Sequence, residues 1–321
     1  MSEFITIGEP VVTFASKDAD YSLADSTHYL KILGGAELNV AIGIQRLGHT
    51  TQYISQVGTD PLGIYAKNII NEDGVGTDYI SLDSEHWTGH QLKQLVTHGD
   101  PQTYNYRTNS AASNLNYKKI DNVDLSEVKI AHMSGIFPAL SDTSRKSFKE
   151  LMKRLVDNNI LITFDPNLRP ALWDNEADMI STINELAKDA DIVMPGISEG
   201  KVLMGSDNPE KIADFYLNNG RRTKAVLVKI GPKGAYVKTK DGQSYVVDGF
   251  KVDHVVDTVG AGDGFALGVI SALLEGKTLK SAVMRGNVVG SLQVQTPGDN
   301  DGYPTRAKLM DFYKKQKVEE K

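Results

Sequence analysis

Ile130-Ala-His-Met-Ser134, a helical pattern from Ser144 to Asn158, and Ile160-Leu-Ile-Thr-Phe-Asp165 follow one another without interruption. A short apolar run, an amphipathic stretch and a second short apolar run in that order read as one β-α-β unit, whose two strands must lie parallel. Moving toward the C-terminus, the pattern repeats: a helix at 177–187, a strand at 192–195, a helix at 209–218 and a strand at 225–230. A hairpin follows, 235–239 and 244–247 around Asp241-Gly242, and then two helices at 261–274 and 278–294. Moving toward the N-terminus, Phe4 to Ile7 reads as a buried strand. Asn39 to Leu47 reads as a helix stopped by Gly48, Thr51 to Val57 as a strand, and Ile64 to Glu72 as a helix. Such alternation predicts an α/β chain with a mostly parallel sheet covered on both faces.

Two segments break the pattern. Short alternating stretches at 91–97 and 103–107 flank His98-Gly-Asp-Pro101, which is hairpin chemistry, and residues 14–31 are polar without a clear period. The expectation is a small β lid, with strands inserted at about 11–33 and 86–109, on a single domain that spans 1–321. Repeats, low-complexity tracts and interdomain linkers are absent from the sequence.

Composition narrows the chemistry. The 321 residues are 40% apolar and 24% charged, ordinary for a globular chain, and long enough to bury a core without a staple. With no cysteine, disulfides, thiolate nucleophiles and Cys-ligated zinc are excluded. A formal net charge of −6 argues against general nucleic-acid binding, though two or three arginines suffice to hold a small anion. Residues 1–9 lack the basic and apolar segments of a signal peptide, and no apolar run approaches the roughly 18 residues of a membrane span. A soluble cytoplasmic protein is expected, with the charged stretch 314–321 fraying into solvent.

The chemistry sits in Val255-Val-Asp-Thr-Val-Gly-Ala-Gly-Asp-Gly-Phe-Ala266. Small residues at 260–262 permit close backbone approach, and the start of the following helix offers unpaired N–H groups to an anion. A carboxylate there, Asp263, fits a base that takes a proton from a hydroxyl while nearby amides hold a transferring phosphoryl group. It fits equally a helix cap after a glycine turn.

The run resembles the signature of the PfkB (ribokinase-like) carbohydrate kinases, Asp-Thr-x-Gly-Ala-Gly-Asp-x-Phe, at every defined position. A second resemblance is Gly34-Gly-Ala-Glu-Leu-Asn-Val-Ala41 followed by Arg46-Leu-Gly48, the sugar-holding turn of that family; the likeness extends from about residue 4 to about 305. It implies a three-layer, doubly wound α/β/α fold with a lid. Asp263 is then the catalytic base, and the amides of Gly260, Ala261 and Gly262 form an anion hole. Within the family the chain is most similar to the kinases of 2-keto-3-deoxygluconate, on Gly34 to Asn39, Tyr104-Asn-Tyr-Arg107, Phe164 to Trp173 and Gly298 to Pro304.

That resemblance implies ATP-dependent phosphorylation of the sugar acid's terminal hydroxyl. Sugar contacts would come from Gly34, Gly35, Ala36, Glu37, Asn39, Gln91, Tyr106, Arg107, Arg169, Asp263 and Asp299. A carboxylate wants a forked cation, which favours Arg107 on the lid, with Arg169 nearer the phosphates. Tyr106 either bonds a hydroxyl or packs the lid face. Asn105 and Gln91 depart from the branch's aromatic pattern. For the nucleotide the implied residues are Asn167, Arg169, Lys229, Gly231, Gly234, Gly260, Gly262 and Asn287, the last equally a helix-surface amide. Mg²⁺ would be held by phosphates and water, with Glu199 behind them, and a monovalent cation is left open. A homo-oligomer paired through the lid is implied as well. Other sugars (the galactonate epimer, fructose, ribose) and a non-catalytic sugar sensor stay as alternatives. A dehydrogenase is not supported, because the first strand ends at Gly8-Glu-Pro10 without a dinucleotide fingerprint. A P-loop kinase is excluded by Ser271 upstream of Gly276-Lys-Thr278.

Overall fold

The computed structural model of the protein describes residues 2–99 and 101–320. Asp100, in the expected His98–Pro101 turn, lies outside the described residues, as do Met1 and Lys321. The central strands are β1 (Phe4–Ile7), β4 (Thr51–Gly58), β8 (Ile130–Ser134), β9 (Leu161–Asp165), β10 (Ile192–Val193) and β11 (Ala225–Lys229). With β5 (Ile80–Asp83), β12 (Ala235–Thr239) and β13 (Ser244–Val247) they form one nine-stranded sheet, in the order β13-β12-β11-β10-β9-β8-β1-β4-β5. Pairing is parallel from β11 to β5; only β12 and β13, the expected hairpin, run antiparallel.

Alternation along the strands feeds two cores. Phe4, Tyr53, Val57, Ala225 and Leu227 face one layer, while Ile5, Ile7, Ile54, Val226 and Val228 face the other. The first layer comprises α1 (Ala36–Arg46), α2 (Pro61–Glu72), α7 (Ala261–Leu274), α8 (Leu279–Gln293) and α9 (Arg306–Gln316). The second comprises α3 (Asp142–Asp157), α4 (Glu176–Ala187), α5 (Ile197–Met204) and α6 (Pro209–Asn219). Local chemistry sets the helix starts: Asp60 caps α2 ahead of Pro61, Ser141 makes a capping box with Ser144, and Thr278 caps α8. Among the described residues no helix is long and apolar enough to cross a membrane.

The second sheet has four strands in the order β3-β2-β6-β7: β2 (Val11–Ser16), β3 (Tyr29–Gly34), β6 (His90–Lys93) and β7 (Thr103–Tyr106). Two antiparallel hairpins are zipped together by the parallel pair β2–β6. The chain leaves the main sheet at the end of β1 and re-enters it at α1, so the turn at Gly34 and Gly35 joins the two sheets.

In the main sheet β1 leads to β4 on one side, while β8 lies on its other side and β9 to β11 continue outward. Ligand sites in such sheets form outside the carboxyl ends of strands near this reversal. Glu9, Asp165, Gly196 and Lys229 all stand at or just past those ends.

The tail is tied down through Glu320 rather than fraying. Arg285 on α8 is 0% exposed and donates to Glu275 at 2.5 and 2.8 Å and, through Nε at 2.7 Å, to Glu320 in the tail. Tyr313 also donates to Glu320. A buried guanidinium demands counter-charge, and the tail supplies part of it. Ending the chain at Gln316 is expected to cost about 1.5–3 kcal/mol, the range for hydrogen bonds to charged groups. Urea unfolding of the shortened chain checks this, and an unchanged midpoint would show that the tail bonds contribute nothing.

Candidate active site

Asp263 lies in the first turn of α7, behind the N-cap Gly260. Gly260 has φ +77°, and a Cβ there would stand 1.9 Å from the Asp299 carbonyl oxygen, so only glycine fits. The buried Tyr303 donates its hydroxyl to the Gly260 carbonyl at 2.8 Å, fixing the turn from below. Gln293, fully buried, donates to the carbonyls of Val259 and Gly298 at 3.1 and 2.7 Å and accepts from the Gly302 amide at 3.0 Å. It thereby ties the 298–302 loop to the glycine turn. Of the expected anion-hole amides, that of Ala261 is taken by the Thr258 carbonyl at 3.3 Å, closing the turn; among the described residues the amides of Gly262 and Asp263 find no acceptor in the chain. Two free donors at a long helix's positive end make an anion site.

The Asp263 carboxylate is held from both sides. Asn39 Nδ2 donates to Oδ2 at 3.0 Å, and Asn167 Nδ2 donates to Oδ1 at 3.3 Å. Asn39 is positioned in turn by Asn300, whose Nδ2 donates to Asn39 Oδ1 at 3.1 Å. Burial pushes the Asp263 pKa up to about 6. The Asn39 bond, Arg169 and Lys229 pull it back, and Asp165 adds to the rise. A carboxylate with that pKa is ionised at neutral pH yet basic enough to accept a proton from a hydroxyl in a transition state.

Beneath the glycine turn lies a charged cluster. Lys229 Nζ meets Asp165 Oδ2 at 2.6 Å and stands 3.6 Å from where a Cβ on Gly262 would be. Asp165 Oδ1 accepts from the Asn167 amide at 3.2 Å, which supports that residue's left-handed φ of +39°. Glu199 accepts from the amides of Leu168 at 3.0 Å and Gly196 at 2.7 Å. Burial raises the Glu199 pKa and the Lys229 ammonium opposes the rise. All four carboxylate oxygens of Asp165 and Glu199 are therefore engaged, a donor set suited to supporting a hydrated cation rather than ligating it directly.

Of the sugar residues expected from the sequence, Gly34, Gly35, Asn39 and Asp299 come together beside Asp263. A Cβ on Gly34 would lie 2.4 Å from Asp299 Oδ2, so that carboxylate packs against the turn backbone. Burial raises the Asp299 pKa, and the neighbouring Lys93 lowers it. Ala36 opens α1. Arg169 is exposed, and its charge reaches both Asp263 and Asp299, while among the described residues its side chain bonds the Leu168 carbonyl alone, at 2.9 Å.

Four expectations change. Glu37 does not face the cleft: it is 1% exposed, packs against Gly8, and among the described residues its Oε1 has no hydrogen-bond partner. Burial lifts its pKa to about 7; Asp263 adds to the rise, and Arg107 opposes it. Gln91 spends its amide on Thr13 Oγ1 at 2.8 Å. Tyr106 packs the lid face, stacked on His90 at 5.1 Å between ring centroids. Asn287 is no surface amide: it is buried and donates to the carbonyls of Val247 and Asp248 at 2.9 and 3.1 Å. That bond secures the corner where Gly234 meets Val247 to Gly249, so Gly231, Gly234 and Asn287 share one neighbourhood. Arg107 is near the cleft but ion-paired, through Nε, with Glu9 at 2.5 Å.

Sequence reasoning assigned no role to Asp165, Tyr303, Gln293, Asn300 or Glu9. Asp165 at a strand's carboxyl end was the readable signal. Gln293 and Tyr303 carry none, since each acts on the glycine turn, 34 and 43 positions away.

A helix-terminal anion site, a basic carboxylate and a cationic cluster beneath it define a phosphotransferase of the ribokinase-like class. Comparison with known proteins agrees. The profile described as pfkB family carbohydrate kinase matches residues 1–306. The chain is 44% identical over 315 residues to a 2-dehydro-3-deoxygluconokinase of Bacillus subtilis, covering 98% of this chain and 96% of that protein. Among solved structures it resembles a PfkB protein from Polaromonas sp. JS666 at 38% identity and TM-score 0.87, over 97% of this chain and 99% of that one. It also resembles a putative ribokinase II from E. coli in complex with ATP and Mg²⁺, at 25% identity and TM-score 0.88, over 98% and 100%. The chain belongs to the pfkB family of carbohydrate kinases.

Proposed function

We propose that the protein transfers the γ-phosphoryl group of ATP to the terminal hydroxyl of 2-keto-3-deoxygluconate, giving 2-keto-3-deoxy-6-phosphogluconate and ADP. The observation that carries this is Asp263, with its pKa near 6, standing beside two free helix-terminal amides. The likeness to the B. subtilis kinase supports the choice of sugar acid.

Asp263 accepts the hydroxyl proton as that oxygen bonds to the γ-phosphorus. The bond from phosphorus to the β,γ-bridging oxygen breaks, and its electron pair leaves with ADP. Gly262 and Asp263 amides, Lys229 and Arg169 hold the phosphoryl oxygens while charge redistributes. Asn39 and Asn167 aim the carboxylate. Mg²⁺, carried by the nucleotide phosphates and water, would neutralise the transferring group, with Glu199 and Asp165 behind its hydration shell. Gly231, Gly234 and Asn287 form the corner offered to the nucleotide base. Arg107 takes the sugar acid's carboxylate, at the opposite end of the substrate from the reacting hydroxyl. The lid closes over the sugar and excludes water, and its exposed Tyr104 and Tyr106 face supports pairing of two copies. A solution mass of one chain would remove the pairing. This reading puts the enzyme in the cytoplasm, where ATP is available.

ADP release with ATP and Mg²⁺ against a panel tests the reading: 2-keto-3-deoxygluconate, its galactonate epimer, fructose, ribose and no sugar. Release is expected with the keto-deoxy acids alone. Turnover of neutral sugars only would sink the substrate assignment, and no release at all would favour a sensor. Repeating the assay with K⁺ replaced by tetramethylammonium reads any monovalent-cation requirement.

A further inference from the structure

We propose that Glu9 is a positioning residue that presents the free edge of Arg107 to the substrate's carboxylate; this rests on the sugar-acid reading above. Glu9 lies in the Gly8-Glu9-Pro10 turn, where the chain leaves the main sheet for the lid, and is 1% exposed. Its Oε2 accepts from Arg107 Nε at 2.5 Å, and its Oε1 accepts from Ser110 Oγ at 2.5 Å. Arg107 and Ser110 lie where the chain returns from β7. One carboxylate therefore grips the lid's outgoing and returning strands together. Gly89, at the foot of β6, leaves the room: a Cβ there would stand 2.2 Å from Glu9 Oε1.

The guanidinium's engagement is selective. Glu9 occupies Nε, while among the described residues no hydrogen bond reaches Nη1 or Nη2. That remaining edge is a flat two-donor fork, the shape that binds a carboxylate bidentately. Arg107 has a side chain only 12% exposed, and an unpaired cation so placed would turn out to water. Glu9 supplies the counter-charge that keeps it inside without consuming its outer edge. The buried Glu37, packed against Gly8, feels the charge of both Asp263 and Arg107, so the guanidinium and the base lie within electrostatic reach of one buried carboxyl. Arg169 stands by Asp263 and Asp299, so the two arginines serve opposite ends of the substrate. Glu9 fixes the end remote from the chemistry.

Wild-type turnover of the keto-deoxy acid is measured first and tests the substrate reading alone; turnover of neutral sugars only overturns both. With acid turnover established, Glu9→Gln is expected to raise the KM for the acid about tenfold or more, with the KM for ATP and kcat changed by less than about threefold, the signature of lost uniform binding. In an Arg107→Met background the same change is expected to add nothing further, because Glu9 acts through that arginine. An unchanged KM in Glu9→Gln, or effects that multiply in the double variant, would overturn the proposal. Should Glu9→Gln fail to fold, Ser110→Ala loosens the same carboxylate without altering charge. It is expected to raise the acid's KM about two- to fivefold with the ATP KM held, as for loss of one hydrogen bond. No change there overturns the proposal equally.

Discussion

Asp263→Asn is expected to fold, to bind sugar and nucleotide, and to lose roughly 10²- to 10⁴-fold in kcat, the usual share of a general base. The amide keeps the volume, and its oxygen can still accept from Asn39 while Asn167 turns its own amide oxygen toward the new NH2, but it cannot take the hydroxyl proton. Stability should not fall. Burial raises the Asp263 pKa to about 6, above its unfolded value, so the native state is favoured by protonation. The carboxyl's contribution is greatest below the unfolded pKa and is lost as pH rises through about 6. At pH 8 the amide removes that penalty, and the melting temperature should hold or rise. The wild-type kcat/KM should climb with pH and level off above about 6, where the base is ionised. Near-normal turnover in the variant, or an acid limb near pH 4, would remove Asp263 from the role.

Lys229→Met should be the most damaging single change to stability. It leaves Asp165 and Glu199 buried together without the ammonium that now sits 2.6 Å from Asp165. Removing one partner of such a cluster costs about 3–5 kcal/mol. The sign with pH is fixed by Glu199: burial raises its pKa and the Lys229 ammonium opposes that rise, so without the ammonium the deficit is full at pH 8 and shrinks as acid protonates that carboxyl. Urea unfolding at pH 5 and pH 8 distinguishes this from a packing defect, which would give equal deficits. The variant should also bind ATP weakly, since the same ammonium faces Gly262.

The parts legible in the sequence were those with local signals. The α7 helix follows a glycine turn and an apolar run, and its span matches the expected 261–274. The two lid hairpins were visible as an interruption of the strand-helix rhythm. Where the signal was not local, reading failed. α5 (Ile197–Met204) went unseen because Ser198 and Gly200 disrupt its period. The strand expected at 192–195 is only Ile192–Val193, since Pro195 cannot donate to the ladder. Glu37 sits in a sugar-binding pattern, yet its side chain turns inward, because the first residues of α1 pack under β1. Arg285 and Glu320 are 35 positions apart, and nothing in a charged C-terminal stretch announces a buried partner.

Gly34 ends β3, and its α-carbon rests on the Asp299 carboxylate, while Gly260 rests on the carbonyl of the same residue. One aspartate is thus the spacer between the Gly34 turn, proposed to receive sugar, and the Gly260 turn, proposed to receive phosphate. A search for variants with new substrate preference is best confined to the lid strands β6 and β7 and to Arg107, which lie outside that spacer. Positions 34, 260 and 299 form a gauge block: enlarging any one alters the gap between donor and acceptor, and every substrate would lose together.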